Sequence, residues 1–433
     1  MTLLKQMGTA PVQQSNDGQS FGALLRSHRT NAGHPQEQLA ERAGLRRHGV
    51  GDHETAICRL CLLRMQPVLN RALALKGIGS ASRVANINAA SHSSVIRRSV
   101  LCVALAAAFV WLGGCQVATP PAAVRVGSVA GVGPITQIGL NQGYFAQAGV
   151  QIEELQFQST QDMIAPLATG ELDVGSGSFS AAFFNAVTGN LDIKCVAGGA
   201  YTPPGHPGNV FVVRADLGSQ IHTPADLRGR TVALTAHGVS PELDLAKLLE
   251  QGGLDLPDVN ELLMPFPAMA GAMSVGQIDV AVVPEPLALQ MESENIGTVW
   301  KGDDEIVPNQ QVSCLLFSSQ FINTQPTAAL AYVTAYLRSV RRYDDALIKR
   351  EPQARAEVVP ILAVAMNLKD PALYDKMAGT PFFPDGQENL ESIQMYQDFF
   401  LASGLQKSSI DVARLIDSHL VAGALKAIGP YQP

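Results

Sequence analysis

From Val124 to Val283 strand-like and helix-like segments alternate, and no other feature of this chain narrows its fold as far. Short apolar runs at VRVGSVA (from Val124), Val150–Phe157, Leu172–Gly175 and Ile193–Ala197 are separated by stretches with helical spacing at Pro134–Gln147, Gln161–Thr169 and Ala181–Thr188. The grammar restarts after FVVRAD, with a short helix at Pro224–Leu227, strands at Thr231–Leu234, Glu261–Met264 and Asp279–Val283, and helices at Pro241–Gln251 and Met269–Val275. Parallel neighbours need a crossover between them, so this alternation predicts an α/β fold with a largely parallel sheet. After Val312–Ser318 the pattern turns helical, near Thr327–Lys349, Arg355–Ala365, Asn389–Ser403 and Ser409–Ala427.

The α/β body is preceded by material of another character. Residues 1–94 carry 11 Lys and Arg against 5 Asp and Glu, whereas Cys115 onward carries 18 against 33. The acidic part would repel phosphate, which predicts no nucleic-acid partner for the mature chain. Between the two lies Arg97–Cys115, RRSVLCVALAAAFVWLGGC. Two arginines, an apolar run and small residues before a cysteine have the form of an export signal. The run is shorter than the roughly 20 residues a bilayer span needs. Leu112-Gly113-Gly114-Cys115 resembles the bacterial lipobox, which implies lipidation of Cys115, a signal peptide over 95–115 and a tether over 116–123. The expected location is then the cell envelope or periplasm, on a lipid anchor. No Met lies between Met65 and Met163, so Val95 is an expected start if its codon is GTG.

Upstream, FGALLRSHRTNA (Phe21–Ala32) and PQEQLAERA (Pro35–Ala43), with Leu25, Arg29, Gln36, Leu39, Ala40, Ala43, Gly44 and Val50, resemble the start of a lambda-repressor-type helix-turn-helix. That resemblance places a recognition helix near Arg46–His53. It stops at Glu54, so 1–94 is read as a degenerate remnant or gene-model artefact. Cys58 and Cys61 form a C-x-x-C without a second pair at zinc spacing. Cys195 and Cys314 are expected to be buried, unpaired thiols. No metal and no cofactor are expected.

Within the body, NQGYFAQAGVQIE (Asn141–Glu153), ATGELDVGSGSFSAAFFNA (Ala168–Ala186), TPADLRGRTVAL (Thr223–Leu234) and AMSVGQIDVAVVPEP (Ala272–Pro286) follow one another in that order. In this order and spacing they resemble the periplasmic substrate-binding proteins of ABC importers, in the branch that takes nitrate, sulfonates, taurine and thiamine-pyrimidine precursors. The resemblance spans Val124–Val421. It implies a two-lobe type II periplasmic binding fold, with a hinge and C-terminal helices packed on lobe one. Lobe one is expected over 124–213 plus 309–433, and lobe two over 214–308. The expected partners are a small-molecule ligand and the permease and ATPase subunits of an importer. The expected mechanism is hinged capture without catalysis.

Candidate ligand contacts follow from the loops. Ser176, Gly177 and Ser178 offer small residues in what is expected to be a strand-to-turn transition, where backbone amides can face a ligand closely. His237, Gly238 and Ser240 stand at a helix start, with Ser240 fitting a pocket contact or an N-cap equally. Glu285 stands at the carboxyl end of a strand, where open α/β sheets bind ligands. Gly131, Val132 and Pro134 follow the first strand, and Tyr201 is placed to stack on a planar ligand or to brace its own loop. With Glu285 acidic and only His237 basic among these loops, a neutral or amine-bearing nitrogen compound is favoured over a bare oxyanion, with a sulfonate-type ligand as the rival. The competing classes are a DNA-binding regulator with a binding-protein-like sensor, and a thiamine-pyrimidine synthesis enzyme of the same fold. The latter would need a His/Cys cluster that the sequence does not display.

Overall fold

The computed structural model describes residues 121–130 and 135–432, which belong to one compact unit, Val117–Pro433. The helix-turn-helix-like segment, the lipobox with Cys115, and the loop residues Gly131, Val132 and Pro134 lie outside the described residues. Among the described residues no helix is long and apolar enough to cross a membrane.

Two five-stranded sheets form the two lobes. The first contains β1 (Ala122–Val129), β2 (Val150–Phe157), β3 (Val174–Ser178), β4 (Ile193–Gly198) and β12 (Ser313–Ser318), in the order β2-β1-β3-β12-β4. β1 runs parallel to β2 and β3, and β12 runs antiparallel to β3 and β4. The second contains β6 (Asn209–Arg214), β7 (Thr231–Leu234), β8 (Asn260–Leu263), β9 (Val280–Pro284) and β10 (Gly297–Gly302), in the order β10-β6-β9-β7-β8. β7 is parallel to β8 and β9, whereas β6 is antiparallel to β9 and β10. A two-stranded ribbon of β5 (Tyr201–Thr202) and β11 (Gln310–Gln311) lies where the chain passes between the sheets.

The first crossing therefore falls before Asn209, one strand earlier than expected. β6 is buried over Asn209–Val213. A strand apolar on both faces carries no local mark of the sheet it joins. Three further expectations change. Pro134–Gln147 is two helices, Ile135–Asn141 and Tyr144–Gln147, divided at Gly143, whose φ of 70° only glycine adopts freely. The GSGS segment is itself strand β3 and not a turn. Ser409–Ala427 is not one helix. A short 3₁₀ turn at Val412–Leu415 is followed by Ile416 bridged to Cys195, and the helix begins at His419. Asp411 and Asp417 accept the amides of Ala413 and His419 at 3.1 and 3.2 Å, and such local acceptors compete with helix continuation.

The helix Pro326–Leu347 covers the first sheet and buries Tyr332, Val333, Tyr336, Leu337 and Val340. Its apolar face recurs at helical spacing, and each such side chain contributes roughly 1.5–3 kcal/mol on burial. Tyr332 packs on Phe145 and Phe317 with ring centroids 5.1 and 5.8 Å apart, tying this helix to the sheet. The second sheet packs Val232, Leu234, Val280 and Val282 against Leu245, Leu248 and Leu249 of the helix Ser240–Gln251. Cys195 and Cys314 are free and buried, side by side in the first sheet's core.

Candidate functional site: an inter-lobe cavity

The cleft lies beyond the carboxyl ends of β1, β3, β7 and β9, where open α/β sheets leave room for ligands. It has a volume of about 140 Å³, space for roughly five waters at liquid density. β1, β3, β12 and the segment after β2 bring hydroxyls to it: Ser128, Ser159, Thr160, Ser176, Ser178 and Ser313. The segments after β12 bring Tyr343, Leu362, Met366, Tyr374, Met377 and Phe382. The second lobe contributes Asn209, Thr235, Ser240, Phe266 and Glu285. Among the described lining residues there is no Lys, Arg, His, Cys or Asp, and Glu285 is the one carboxylate.

Glu285 follows β9, and its Oε2 is buried with no hydrogen-bond partner. Burial pushes its carboxyl up to about 7, the amides of Gly379 and Ala378 pull it down, and Asp304 pushes it up. A buried carboxyl oxygen without a partner is costly, and a donor arriving with a ligand would relieve that cost.

Ser176, Gly177, Ser178, Ser240 and Glu285 thus come together around one cavity, together with Ile135, the first residue of the helix after β1. Their local roles differ from those expected. β3 pairs with β1 and β12, so much of its backbone hydrogen bonding serves the sheet. The Ser178 amide donates to Thr160 Oγ1 at 2.9 Å. A Cβ on Gly177 would stand 2.1 Å from that same oxygen, so the glycine admits Thr160 and not a ligand. Ser240 is the first residue of its helix, and the cap position belongs to Val239.

Tyr201, His237 and Gly238 lie outside the cavity lining. Tyr201 sits in the ribbon and stacks on Phe383, with centroids 4.4 Å apart and planes at 13°. His237 turns its Nδ1 to Glu242 Oε1 at 2.7 Å and to Glu261 Oε2 at 3.1 Å. The Gly238 carbonyl accepts the Ala181 amide of the other lobe at 2.8 Å, and Val239 bridges Ser180. Gly238 and Val239 thus latch the two lobes together beside the cleft.

The contacts that sequence reasoning missed are mostly neutral side chains: Thr160, Asn209, Tyr343, Met366 and Tyr374. Asn209 is held by a buried polar cluster. Asp303 accepts the amides of Gly208 and Asn209, each at 2.8 Å, and Asn209 Nδ2 donates to Asp244 Oδ2 at 3.1 Å. Gln310 of the ribbon donates to Tyr396 Oη at 2.6 Å. Burial pushes Asp303 up to about 7. The adjacent acidic pair Asp303-Asp304, directly after β10, is the signal that could have pointed to this cluster.

Comparison with known proteins places this architecture. The alkanesulfonate-binding protein SsuA from Xanthomonas axonopodis pv. citri, bound to MOPS, is 18% identical over 69% of this chain and 99% of its own, with a TM-score of 0.57. The periplasmic nitrate-binding protein NrtA from Synechocystis PCC 6803 is 14% identical over 71% of this chain and 89% of its own, at 0.56. The desulfurization enzyme DSZB is 14% identical over 71% of this chain and 99% of its own, at 0.51. At such identities the likeness carries the two-lobe periplasmic binding fold. No curated protein matches the sequence. The model of the NMT1-like family matches residues 118–363, more than half of the sequence and both sheets of the cleft, and the chain belongs to that family.

Proposed function

We propose that this chain is the solute-binding component of an ABC importer, capturing a small nitrogen-bearing molecule between its lobes and delivering it to a membrane permease. The observation that carries this reading is Glu285, a lone half-buried carboxylate with one buried, unpartnered oxygen in a cavity whose described lining holds no cation. An ammonium, amidine or ring N–H satisfies Glu285, while the hydroxyls of β1, β3 and β12 supply further polar contacts and the Tyr374 and Met366 side enfolds an apolar body. A bare sulfonate or nitrate would meet the carboxylate without a positive partner. SsuA and NrtA, both named as binding proteins, support the capture role. DSZB raises the enzymatic alternative on the same fold. Nucleophilic catalysis needs an activated Cys or Ser with a base in reach, and the described lining offers neither Cys nor His. With Cys115 lipidated, the protein works at the cell envelope.

A thermal-shift panel of amines, nitrogen heterocycles, nitrate and alkanesulfonates tests the ligand class. Stabilisation by amine or N–H compounds, lost in Glu285→Gln, is expected. Stabilisation by nitrate or alkanesulfonates alone would overturn it. Palmitate labelling that disappears in Cys115→Ala tests the anchor. An unlabelled cytosolic protein that shifts DNA would favour the regulator reading instead.

A further inference from the structure

We infer that His237, Glu242 and Glu261 form a transition-metal site of the zinc class on lobe two. The three residues come from the loop after β7, the first turn of the helix Ser240–Gln251, and β8. One donor atom from each lies within 4.8 Å of the other two. The His237 Nδ1 faces both carboxylates, at 2.7 Å to Glu242 and 3.1 Å to Glu261. One imidazole nitrogen carries at most one proton, so it cannot hydrogen-bond fully to both. Glu261 Oε1 is buried with no hydrogen-bond partner. Glu242 is 3% exposed, and among the described residues no Lys or Arg pairs with either carboxylate.

A divalent cation answers each of these features. It supplies positive charge to two packed carboxylates and a partner for Glu261. Tetrahedral zinc places its nitrogen and oxygen donors about 3.3 Å apart, so small side-chain rotations suffice. His237 is 49% exposed at its side chain, which leaves a face open for a water as fourth ligand. The imidazole selects zinc, nickel or copper over calcium and magnesium, which favour all-oxygen sets. The spacing 237, 242, 261 resembles no zinc motif, because the third ligand arrives on a neighbouring strand.

The position assigns a role. Gly238 and Val239, next to His237, make the contacts to Ala181 and Ser180 across the cleft. A metal joining the loop, the helix and β8 braces that latch from behind.

The test is zinc binding by the full chain, by equilibrium dialysis, beside His237→Asn and Glu261→Gln, with melting followed with and without zinc. Comparison among the three cancels any zinc held elsewhere, including by Cys58 and Cys61. Each variant is expected to bind one molar equivalent less than wild type and to lose the zinc-dependent rise in melting temperature, measured against the same variant without metal. Cobalt substitution should give visible bands of nitrogen and oxygen ligation in wild type that are absent from Glu261→Gln. Equal zinc stoichiometry in all three proteins, whatever their melting temperatures, would overturn the inference. No solute is used, so the outcome is independent of the ligand class proposed above.

Discussion

Glu285→Gln isolates the electrostatics of the cavity. Burial holds the Glu285 carboxyl near 7, against an ordinary value of 4.5. Below pH 4.5 the group is protonated in both folded and unfolded chains and adds no pH dependence. Between 4.5 and 7 the folded state keeps the proton that the unfolded chain releases, so folding stability falls as pH rises. Above 7 both states are ionised and the cost is constant. At 1.36 kcal/mol per pK unit, the full cost is about 3 kcal/mol. Gln has the same shape and no charge. The stability of the variant minus that of wild type should therefore climb by about this amount from pH 4.5 to 7, then level off. Other acids raised by burial, such as Asp303 and Asp344, are present in both proteins and cancel in the difference. Urea unfolding at half-unit pH steps measures it. A difference flat between pH 4 and 8, or one that falls with pH, would refute the view of Glu285 as a buried carboxylate awaiting a partner. With an amine ligand bound the slope should shrink, and calorimetry in buffers of different ionisation enthalpy should record proton release on binding below pH 7.

Further outcomes follow from the same geometry. Gly177→Ala should cost about 1–3 kcal/mol in urea unfolding, because the new methyl overlaps Thr160, which is held by the Ser178 amide. Tyr374→Ala should weaken binding of the stabilising solute by about tenfold, roughly 1.4 kcal/mol, whereas Tyr201→Ala should leave affinity almost unchanged, as isothermal titration would show. Asp303→Ala should cost about 1–3 kcal/mol in unfolding and also lower affinity, since it strips the acceptor from the Gly208 and Asn209 amides beside the cavity. Adding solute should reduce the radius of gyration in solution scattering, and an unchanged value at saturation would count against hinged capture.

The fold was legible where periodicity is local. β2 and the helices Ala181–Thr188 and Pro326–Leu347 carry their own pattern of burial, and the sequence reading matched them within a residue or two. It failed where neighbours decide. β6 is an apolar strand that either sheet could bury, and its pairing with β9 and β10 settles its lobe. The GSGS segment looked like a turn because small residues usually make one. It is a strand because β1 and β12 pair with it on either side, and it is small because Thr160 packs so closely over Gly177, and Leu167 and Met163 tightly over Gly175, that little room is left for a side chain. At the C-terminus, two aspartates that accept amides at short range broke a helix that composition favoured.

The cavity was less legible than the fold, and the reason is physical. A charged residue at a strand end announces itself, and Glu285 was found on that ground. His237 was singled out because it stands at a helix start, but its ring pairs with two carboxylates and lies outside the cavity lining, one of the carboxylates coming from β8 and invisible in local spacing. Specificity in a cavity like this rests on what is missing as much as on what is present. One carboxylate among hydroxyls, methionines and tyrosines selects by leaving an acceptor unsatisfied. Those lining residues run from Ser128 to Phe382, so the fold must close both lobes before any of this chemistry exists. Replacing Glu285 should accordingly change which solutes bind while leaving the hinge, the latch and the hydrophobic cores intact.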